Sequence, residues 1–331
     1  MLGNWPLSSW IECLLREVGL GMYSCPRCHR AKLEILNSGL WCAICNLDFP
    51  VVNGVPVLIN NENSVFAVED YMGADSYAGD SYVGNTGHTR DLRAAYRRFA
   101  RALSGARGMP VPLTAAKVLA EVSRSTVERP RVLVVGAGQG RFSDPADVVY
   151  TDVAFSPGLN AIADAHDLPF GDCEFDLVIA IAVLEHVADP HRVVDEVWRV
   201  LKPHGCVFAA TPFLEPVHMG AYDFTRFTYL GHRRLFRRFS DLASGIREGP
   251  GTVLAWSLQS LLISLFSGRN WRRVAKVVGL VITLPIKYLD RIAQRNPAAI
   301  DGAGGVFFFG RKSETIISDR ELIKLYRGGF E

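Results

Sequence analysis

The stretch Arg131-Val-Leu-Val-Val-Gly136-Ala-Gly138-Gln-Gly140 joins a run of aliphatic residues to a turn that is rich in glycine. The aliphatic run predicts a buried strand, and the glycines predict a tight turn whose backbone N–H groups can approach a ligand closely. Alone, this pattern is a weak signal, because dinucleotide-binding enzymes and ordinary tight turns produce it as well. Its interpretation therefore depends on the residues that follow.

Further strands and a helix follow the glycine turn at short intervals. Residues 148–152 predict a second strand ending in Asp152, a carboxylate that can accept hydrogen bonds from both hydroxyls of a ribose. Buried strands are also predicted over 175–182, 206–212 and 304–312, with a helix over 193–201. This alternation predicts an α/β fold with a doubly wound sheet, whose ligands lie at the carboxyl ends of the strands.

Four segments together resemble the class I S-adenosylmethionine-dependent methyltransferases of the methyltransferase type 11 group. They are VLVVGAGQG (132–140), DAHDLPF (164–170), FDLVIAIAVLEHVADP (175–190) and WRVLKPHG (198–205), in the family's order. The resemblance implies a Rossmann-like methyltransferase sheet, methyltransferase activity and S-adenosylmethionine as cofactor. By resemblance, Gly136, Gly138 and Gly140 would contact the methionine portion of the cofactor, and Asp152 would bind its ribose. Asp164 and Ala165 would contact the adenine, and Glu185 and His186 would line the floor near the donated methyl.

Two departures from the family pattern keep a second interpretation open. Val134 stands where the family usually has an acidic residue, two positions before the first glycine. The connection from Gly140 to Asp152 is short for the family's helix, and Pro145 would interrupt one. Either Asp144 or another carboxylate replaces the missing contact, or the chain is a non-catalytic scaffold with a degenerate pocket.

Methyl transfer to a hydroxyl requires that the acceptor is aligned with the methyl and loses its proton. His186 and His218 are the best candidates for the base and Asp223 is the third, although each is also compatible with a structural role. The chain lacks the Asn/Asp-Pro-Pro-Tyr/Phe and Pro-Cys sequences of nucleic-acid methyltransferases. We therefore expect O-methylation of a small-molecule or glycan-linked acceptor. The loop after the predicted strand over 206–212, which contains His218 and Asp223, resembles the corresponding loop of methyltransferases found with surface-polysaccharide synthesis.

Two CxxC pairs, Cys25-Pro-Arg-Cys28 and Cys42-Ala-Ile-Cys45, are separated by thirteen residues. This spacing predicts a structural zinc site with the four cysteines as ligands, and two disulfides are the alternative. An Asn53-Gly54 turn between apolar runs predicts a closing hairpin over 47–59. CPRC, CAIC and FPVVNGVPVLI together resemble the Trm112-type zinc ribbons, which are small proteins that bind and activate methyltransferases.

Length and charge are compatible with a cytoplasmic enzyme of more than one unit. The chain has 331 residues and a formal net charge of +2, which argues against broad nucleic-acid binding, although an RNA-modifying methyltransferase is a further alternative. We expect an amphipathic helix over 1–20, the zinc ribbon over 21–60, a helical linker or cap over 61–128 and the methyltransferase domain over 129–331. The sequence leaves the oligomeric state open.

An apolar insertion at about 249–300 interrupts the methyltransferase domain. Arg269, Arg272, Arg273 and Lys276 divide it into runs that are too short to span a bilayer, which takes roughly 20 apolar residues. Basic residues and Trp271 lie between two apolar helices, a pattern that suits peripheral contact with a membrane surface through 252–288. In a cytoplasmic protein this surface would be that of the inner membrane. Helices packed on the domain, or at a dimer contact, are the alternatives.

Overall fold

A computed structural model describes residues 22–36, 39–73, 113–126, 128–142 and 146–329. The predicted helix over 1–20, most of the predicted linker over 61–128, and Asp144 lie outside the described residues.

The described chain is organised around a sheet whose central strands are parallel. The parallel strands, in chain order, are β5 (Arg131–Val135), β6 (Asp147–Asp152), β7 (Ala161–Ala163), β8 (Phe175–Ile181) and β9 (Leu201–Pro212). Two further strands, β10 (Phe239–Glu248) and β11 (Gly305–Lys312), follow β9 in the chain. The spatial order of all these strands is β7-β6-β5-β8-β9-β11-β10, with β11 antiparallel to both β9 and β10. The order reverses at β5 and β8, so the predicted doubly wound, Rossmann-like sheet is confirmed.

Local sequence explains where the helices of the described residues begin. They are α1 (Ala115–Ser125), α2 (Pro190–Val200), α3 (Tyr229–Leu235), α4 (Pro250–Ser264), α5 (Arg269–Tyr288), α6 (Asp290–Ala293) and α7 (Asp319–Ile323). Thr114 caps α1 by accepting a hydrogen bond from the backbone N–H of Lys117, and Asp189 caps α2 in the same way. Pro190 follows at the first position of α2, where its missing N–H costs nothing.

The connections of the parallel strands contain fewer helices than strict strand–helix alternation implies. Residues 153–160, between β6 and β7, and residues 164–174, between β7 and β8, form loops. The described residues between β5 and β6 are also free of helix, as the short spacing and Pro145 indicate. Only β8 and β9 are joined by a crossover helix, α2, within the described part of β5–β9.

The cysteine-bearing hairpins are continuous with the large sheet. Their strands are β1 (Glu34–Leu36), β2 (Gly39–Cys42), β3 (Leu47–Val52) and β4 (Val55–Leu58). The predicted turn is present, with Asn53 and Gly54 at φ of 53° and 78°, a conformation that suits these residue types. Strand β4 pairs in parallel with β7, at Val57↔Ile162, and so covers an edge of the sheet that would otherwise be unpaired.

The apolar insertion lies between β10 and β11 and forms α4, α5 and α6. Asp290 is fully buried and accepts hydrogen bonds from the backbone N–H groups of Gly251 and Thr252, at 2.7 and 2.9 Å, and so caps the start of α4. The Gln259 amide donates to Thr283 Oγ1 between α4 and α5. No helix in the described ranges has the length and apolar character needed to cross a bilayer.

Candidate active site

A cavity of about 340 Å³ opens at the carboxyl ends of β5, β6, β7 and β8. Its walls include five of the seven predicted cofactor-binding residues, which are Gly136, Gly138, Asp152, Asp164 and Ala165. Ligand pockets of folded proteins start at roughly 300 Å³, so the cavity has room for a ligand of cofactor size. The other two predicted residues, Gly140 and Glu185, do not line it.

The glycine turn forms one wall of the cavity, and its backbone conformation favours glycine over residues that carry a side chain. Gly136 and Gly138 have φ of 61° and 53°, in the left-handed region that L-residues disfavour. A Cβ on Gly136 would lie 2.5 Å from Cγ2 of Val183, whereas one on Gly140 would meet only a backbone oxygen at 3.5 Å. Gly140 has more room for a side chain than Gly136 and does not line the cavity.

Asp152 lies at the end of β6 beside this turn. Its carboxylate accepts hydrogen bonds from the backbone N–H groups of Gly138, at 2.7 Å, and Ala154, at 3.0 Å. Burial raises the pKa of Asp152, and these hydrogen bonds act in the opposite direction. Asp152 also lines the cavity, so its carboxylate oxygens are available as hydrogen-bond acceptors for a ligand there.

Asp164 lies on the next wall of the cavity and is buried. Its Oδ1 is 2.6 Å from His166 Nδ1, and its Oδ2 accepts a hydrogen bond from Ser64 Oγ at 2.5 Å. Burial alone would raise the pKa of Asp164, but the hydrogen bonds and charge of His166, together with Ser64, hold it below its usual value. The same carboxylate raises the pKa of His166 against the opposing effect of burial.

The segment that follows β4 supplies a wall that sequence reasoning missed. Val65 and Phe66 line the cavity, and the Phe66 ring stacks on Tyr222 with centroids 5.5 Å apart. Asn60 and Asn63 anchor this segment by donating to Asp167 Oδ2 at 2.9 and 3.0 Å. No motif marks these residues, since their role arises from the pairing of β4 with β7.

Two of the predicted candidate bases, His186 and His218, lie next to each other in the lining of the cavity. Their Nε2 atoms are 2.9 Å apart. The Nδ1 atom of His186 is 2.8 Å from the backbone oxygen of Tyr222. Burial lowers the pKa of His186, so this imidazole is favoured in its neutral form.

Glu185 lies beside the two histidines. It is 0% exposed, and neither carboxylate oxygen has a hydrogen-bond partner of normal geometry among the described residues. Burial raises its pKa to about 7, while its own backbone amide and Arg226 lower it to a smaller extent. Glu185 is not among the residues that line the cavity, and its predicted place on the floor near the donated methyl stays a prediction.

Asp223 is outside the cavity lining and is paired with Arg226 through two nitrogens of the guanidinium. This pairing lowers the pKa of Asp223 to about 2. Its Oδ2 accepts a hydrogen bond from the backbone N–H of His218 at 3.0 Å and is 3.6 Å from Nδ1 of that ring. A carboxylate with so low a pKa is a weak base, so its geometry suits orientation of His218.

The four cysteines converge as their spacing predicts. Their Sγ atoms all lie within 4.8 Å of one another, and the Cys25–Cys45 and Cys28–Cys42 pairs are each 3.9 Å apart. Thiolates about 2.3 Å from a central tetrahedral ion would be about 3.8 Å apart, whereas a disulfide needs about 2.05 Å. All four cysteines are free, so the cluster is consistent with a zinc ribbon and not with two disulfides.

A second cavity of about 520 Å³ lies between α1, the sheet and the helical insertion. It is lined by residues such as Arg247, Glu248 and Lys287, and by none of the predicted site residues.

Comparisons with known proteins identify the class of protein that this part of the chain is similar to. Residues 133–209 match the family model described as a methyltransferase domain. A demethylmenaquinone methyltransferase of Clavibacter sepedonicus is 32% identical over 145 residues, covering 41% of this chain and 58% of that protein. A ubiquinone/menaquinone biosynthesis C-methyltransferase of Psychromonas ingrahamii is 36% identical over 97 residues, covering 27% of this chain and 38% of the relative. The chain thus spans about half the length of such relatives.

Among solved structures, a complex of the Haloferax volcanii Trm112 methyltransferase activator with a putative methyltransferase is similar at 19% identity. It has a TM-score of 0.39 and covers 68% of this chain and 95% of the solved one. A TM-score this low adds nothing to the argument, which depends on the family match, the strand order and the cavity. On those grounds, residues 133–209 are similar to the methyltransferase domains of the type 11 family, and their strands form part of a Rossmann-like, doubly wound sheet.

Proposed function

We propose that this protein transfers a methyl group from S-adenosylmethionine to an oxygen of a small-molecule or glycan-linked acceptor. The observation that carries the proposal is the cavity at the strand ends, whose lining includes Asp152, Asp164 and the two histidines His186 and His218. The cavity volume of about 340 Å³ and the two carboxylates in its lining suit a ligand with hydroxyl and amino groups, such as a ribose and an adenine. A second substrate would then enter beside the histidines.

Bound S-adenosylmethionine would supply a methyl group on a sulfonium, which a lone pair of the acceptor can displace. In the proposed roles, Gly136 and Gly138 admit the methionine portion, Asp152 accepts from the ribose hydroxyls and Asp164 with Ala165 contacts the adenine. His186 and His218 face the acceptor and remain the candidates for proton removal, since Asp223 is held by Arg226.

The competing proposal is a binding scaffold without catalysis. It is favoured by Val134, which is buried in β5 and offers no carboxylate to the amino group of the donor. The Psychromonas ingrahamii relative is named as a C-methyltransferase, and neither relative's name identifies the acceptor here. Product analysis by mass spectrometry would separate O-methylation from C-methylation once an acceptor is found.

Calorimetry with S-adenosylmethionine tests the enzyme against the scaffold. We expect wild type to bind the donor and Asp152→Ala to weaken binding by about 1.5–3 kcal/mol, the range for a hydrogen bond to a charged group. Asp147→Ala is a matched control, since Asp147 is exposed at the opposite end of the same strand. A wild-type protein that binds no donor would favour the scaffold.

We also propose that the four-cysteine cluster holds a structural zinc ion. The sulfur separations near 3.9 Å support this proposal, because they match the edge of a thiolate tetrahedron. Elemental analysis should find one zinc per chain fewer in Cys42→Ser than in wild type or in Cys173→Ser, a cysteine outside the cluster. Wild type isolated under reducing conditions without zinc would contradict the proposal.

The insertion is proposed to contact an anionic membrane surface. Exposed apolar side chains on α4 and α5, including Leu261 and Trp271, lie beside basic residues, and residues 250–289 contain no Asp or Glu. We expect the protein to sediment with anionic vesicles, less with zwitterionic ones, and less after the double change Arg272→Glu/Arg273→Glu. Equal binding to both vesicle types would contradict the electrostatic part, and no binding to either would contradict the contact.

A further inference from the structure

The two histidines and Glu185 form a cluster whose hydrogen bonding is incomplete. Glu185 is fully buried, and both its carboxylate oxygens lack a hydrogen-bond partner within the described residues. Its Oε1 is 3.7 Å from Nε2 of His186 and 3.8 Å from Nε2 of His218. Buried carboxylates are normally hydrogen-bonded, paired with a cation or bound to a metal, so this one calls for a missing positive group.

The positions of the protons on the two imidazole rings leave the carboxylate of Glu185 with even fewer hydrogen-bond donors. The backbone oxygen of Tyr222 can only accept, so Nδ1 of His186, 2.8 Å away, must carry the proton. In the neutral ring, Nε2 of His186 is then a lone pair that points toward the cluster. On His218 the Nδ1 side faces Asp223, at 3.6 Å, which favours the same tautomer. Two lone pairs and a carboxylate would thus face one another.

The distances among the three atoms suit a metal ion. The two Nε2 atoms are 2.9 Å apart, and with Oε1 of Glu185 they form a triangle whose centre is about 2.0 Å from each atom. Zinc lies roughly 2.0–2.2 Å from histidine nitrogen and carboxylate oxygen in proteins. The two imidazole planes are inclined at 82° with centroids 4.7 Å apart, so the rings approach a common point from different directions.

The groups around the cluster also resemble those that surround metal-binding histidines. Such histidines usually give their second ring nitrogen to a backbone oxygen or a carboxylate, which fixes the tautomer. Here the backbone oxygen of Tyr222 serves His186, and Asp223 serves His218. Asp223 is in turn held by Arg226, so its own position is defined.

We propose that Glu185, His186 and His218 bind one divalent transition-metal ion at the acceptor end of the donor cavity. Two imidazoles and one carboxylate suit zinc, cobalt, nickel or ferrous iron better than magnesium or calcium, which prefer oxygen ligands. Three protein ligands leave positions open toward the cavity, which His186 and His218 line. The site is separate from the four-cysteine cluster.

The role of this metal rests on the proposed function, with His186 and His218 acting as ligands of the ion instead of as bases. An acceptor hydroxyl that coordinates the ion has its pKa lowered and releases its proton to solvent water. Its oxygen lone pair then forms the bond to the methyl carbon, the carbon–sulfur bond breaks, and its electron pair stays on the sulfur of the product thioether. Acceptors with two neighbouring oxygens, such as vicinal diols or hydroxy-carbonyl groups, would chelate the ion and be selected.

Cobalt(II) titration of protein that holds zinc in the four-cysteine cluster alone, at one zinc per chain, tests the site directly. Cobalt in a histidine–carboxylate site gives ligand-field bands in the visible region, whereas cobalt in the cysteine cluster adds a thiolate charge-transfer band. We expect one cobalt per chain without the charge-transfer band, and retention of zinc. Asp223→Asn should weaken cobalt binding about 10–100-fold, the usual effect of changing a group that orients a ligand, and His218→Ala by at least as much.

Control variants distinguish loss of the metal ligands from misfolding and from loss of donor binding. His191→Ala removes an exposed histidine of α2 outside the cluster and should bind cobalt like wild type. His218→Ala should keep wild-type circular dichroism and zinc content. Cobalt binding by His218→Ala and Glu185→Gln at wild-type affinity would overturn the site, as would a wild type that takes up no cobalt while still binding S-adenosylmethionine. Cobalt uptake by a protein that binds no donor would support the site and contradict the proposed function.

Discussion

The glycine turn offers a test in which two neighbouring glycines respond differently to the same change. Gly136→Ala places a side chain at a φ of 61°, which costs about 1–2 kcal/mol for an L-residue. The new Cβ would also lie 2.5 Å from Cγ2 of Val183, and overpacking of this kind costs about 1–3 kcal/mol. Together these effects lower the free energy of unfolding by about 2–5 kcal/mol.

Gly140→Ala is the matched control, because its Cβ meets only a backbone oxygen at 3.5 Å and its φ is outside the left-handed region. Its free energy of unfolding should change by less than about 1 kcal/mol. The assay is urea unfolding of the zinc-loaded protein, followed by circular dichroism.

A double variant isolates the steric part of the cost. Val183→Ala removes the methyl group that the new Cβ of Gly136→Ala would meet, but it leaves the backbone strain unchanged. The double variant should therefore be about 1–3 kcal/mol more stable than the two single effects added together. Equal costs for Gly136→Ala and Gly140→Ala, or strict additivity in the double variant, would refute the reasoning.

Three further predictions concern other parts of the molecule. Phe66→Ala should weaken S-adenosylmethionine binding by about 1–3 kcal/mol, the value for an aromatic ring against a base, while the exposed Phe266→Ala should not; equal effects in calorimetry would contradict it. Asp164 raises the pKa of His166 in the folded state. Wild type should therefore have a larger free energy of unfolding than His166→Gln, with the full difference below pH 6.5 and a smaller one as pH rises through the raised pKa. A difference that grows with pH in urea unfolding would contradict the interaction of His166 with Asp164. Asp290→Ala should lower the free energy of unfolding by about 1–3 kcal/mol for each buried donor left unpaired, and an unchanged melting temperature would count against this capping role.

Several features of this protein follow from short-range sequence alone. The turn at Asn53 and Gly54, the strand before Gly136 and the convergence of the paired cysteines depend on residues close to one another in the chain. Backbone conformational limits and ligand spacing act over a few residues, so a pattern is enough to predict them. The same holds for the position of Asp152 at the end of its strand.

Tertiary structure alone decided which of these groups share a site. Strand β4 pairs with β7 across about a hundred residues of chain, and this pairing brings Ser64 and Phe66 to the cavity. Glu185 and His186 are adjacent in sequence, yet one side chain is fully buried while the other lines the cavity, a difference that their residue types do not encode. Contacts between distant segments depend on the packing of the whole sheet, and the free energy of that packing is not a property of any local stretch.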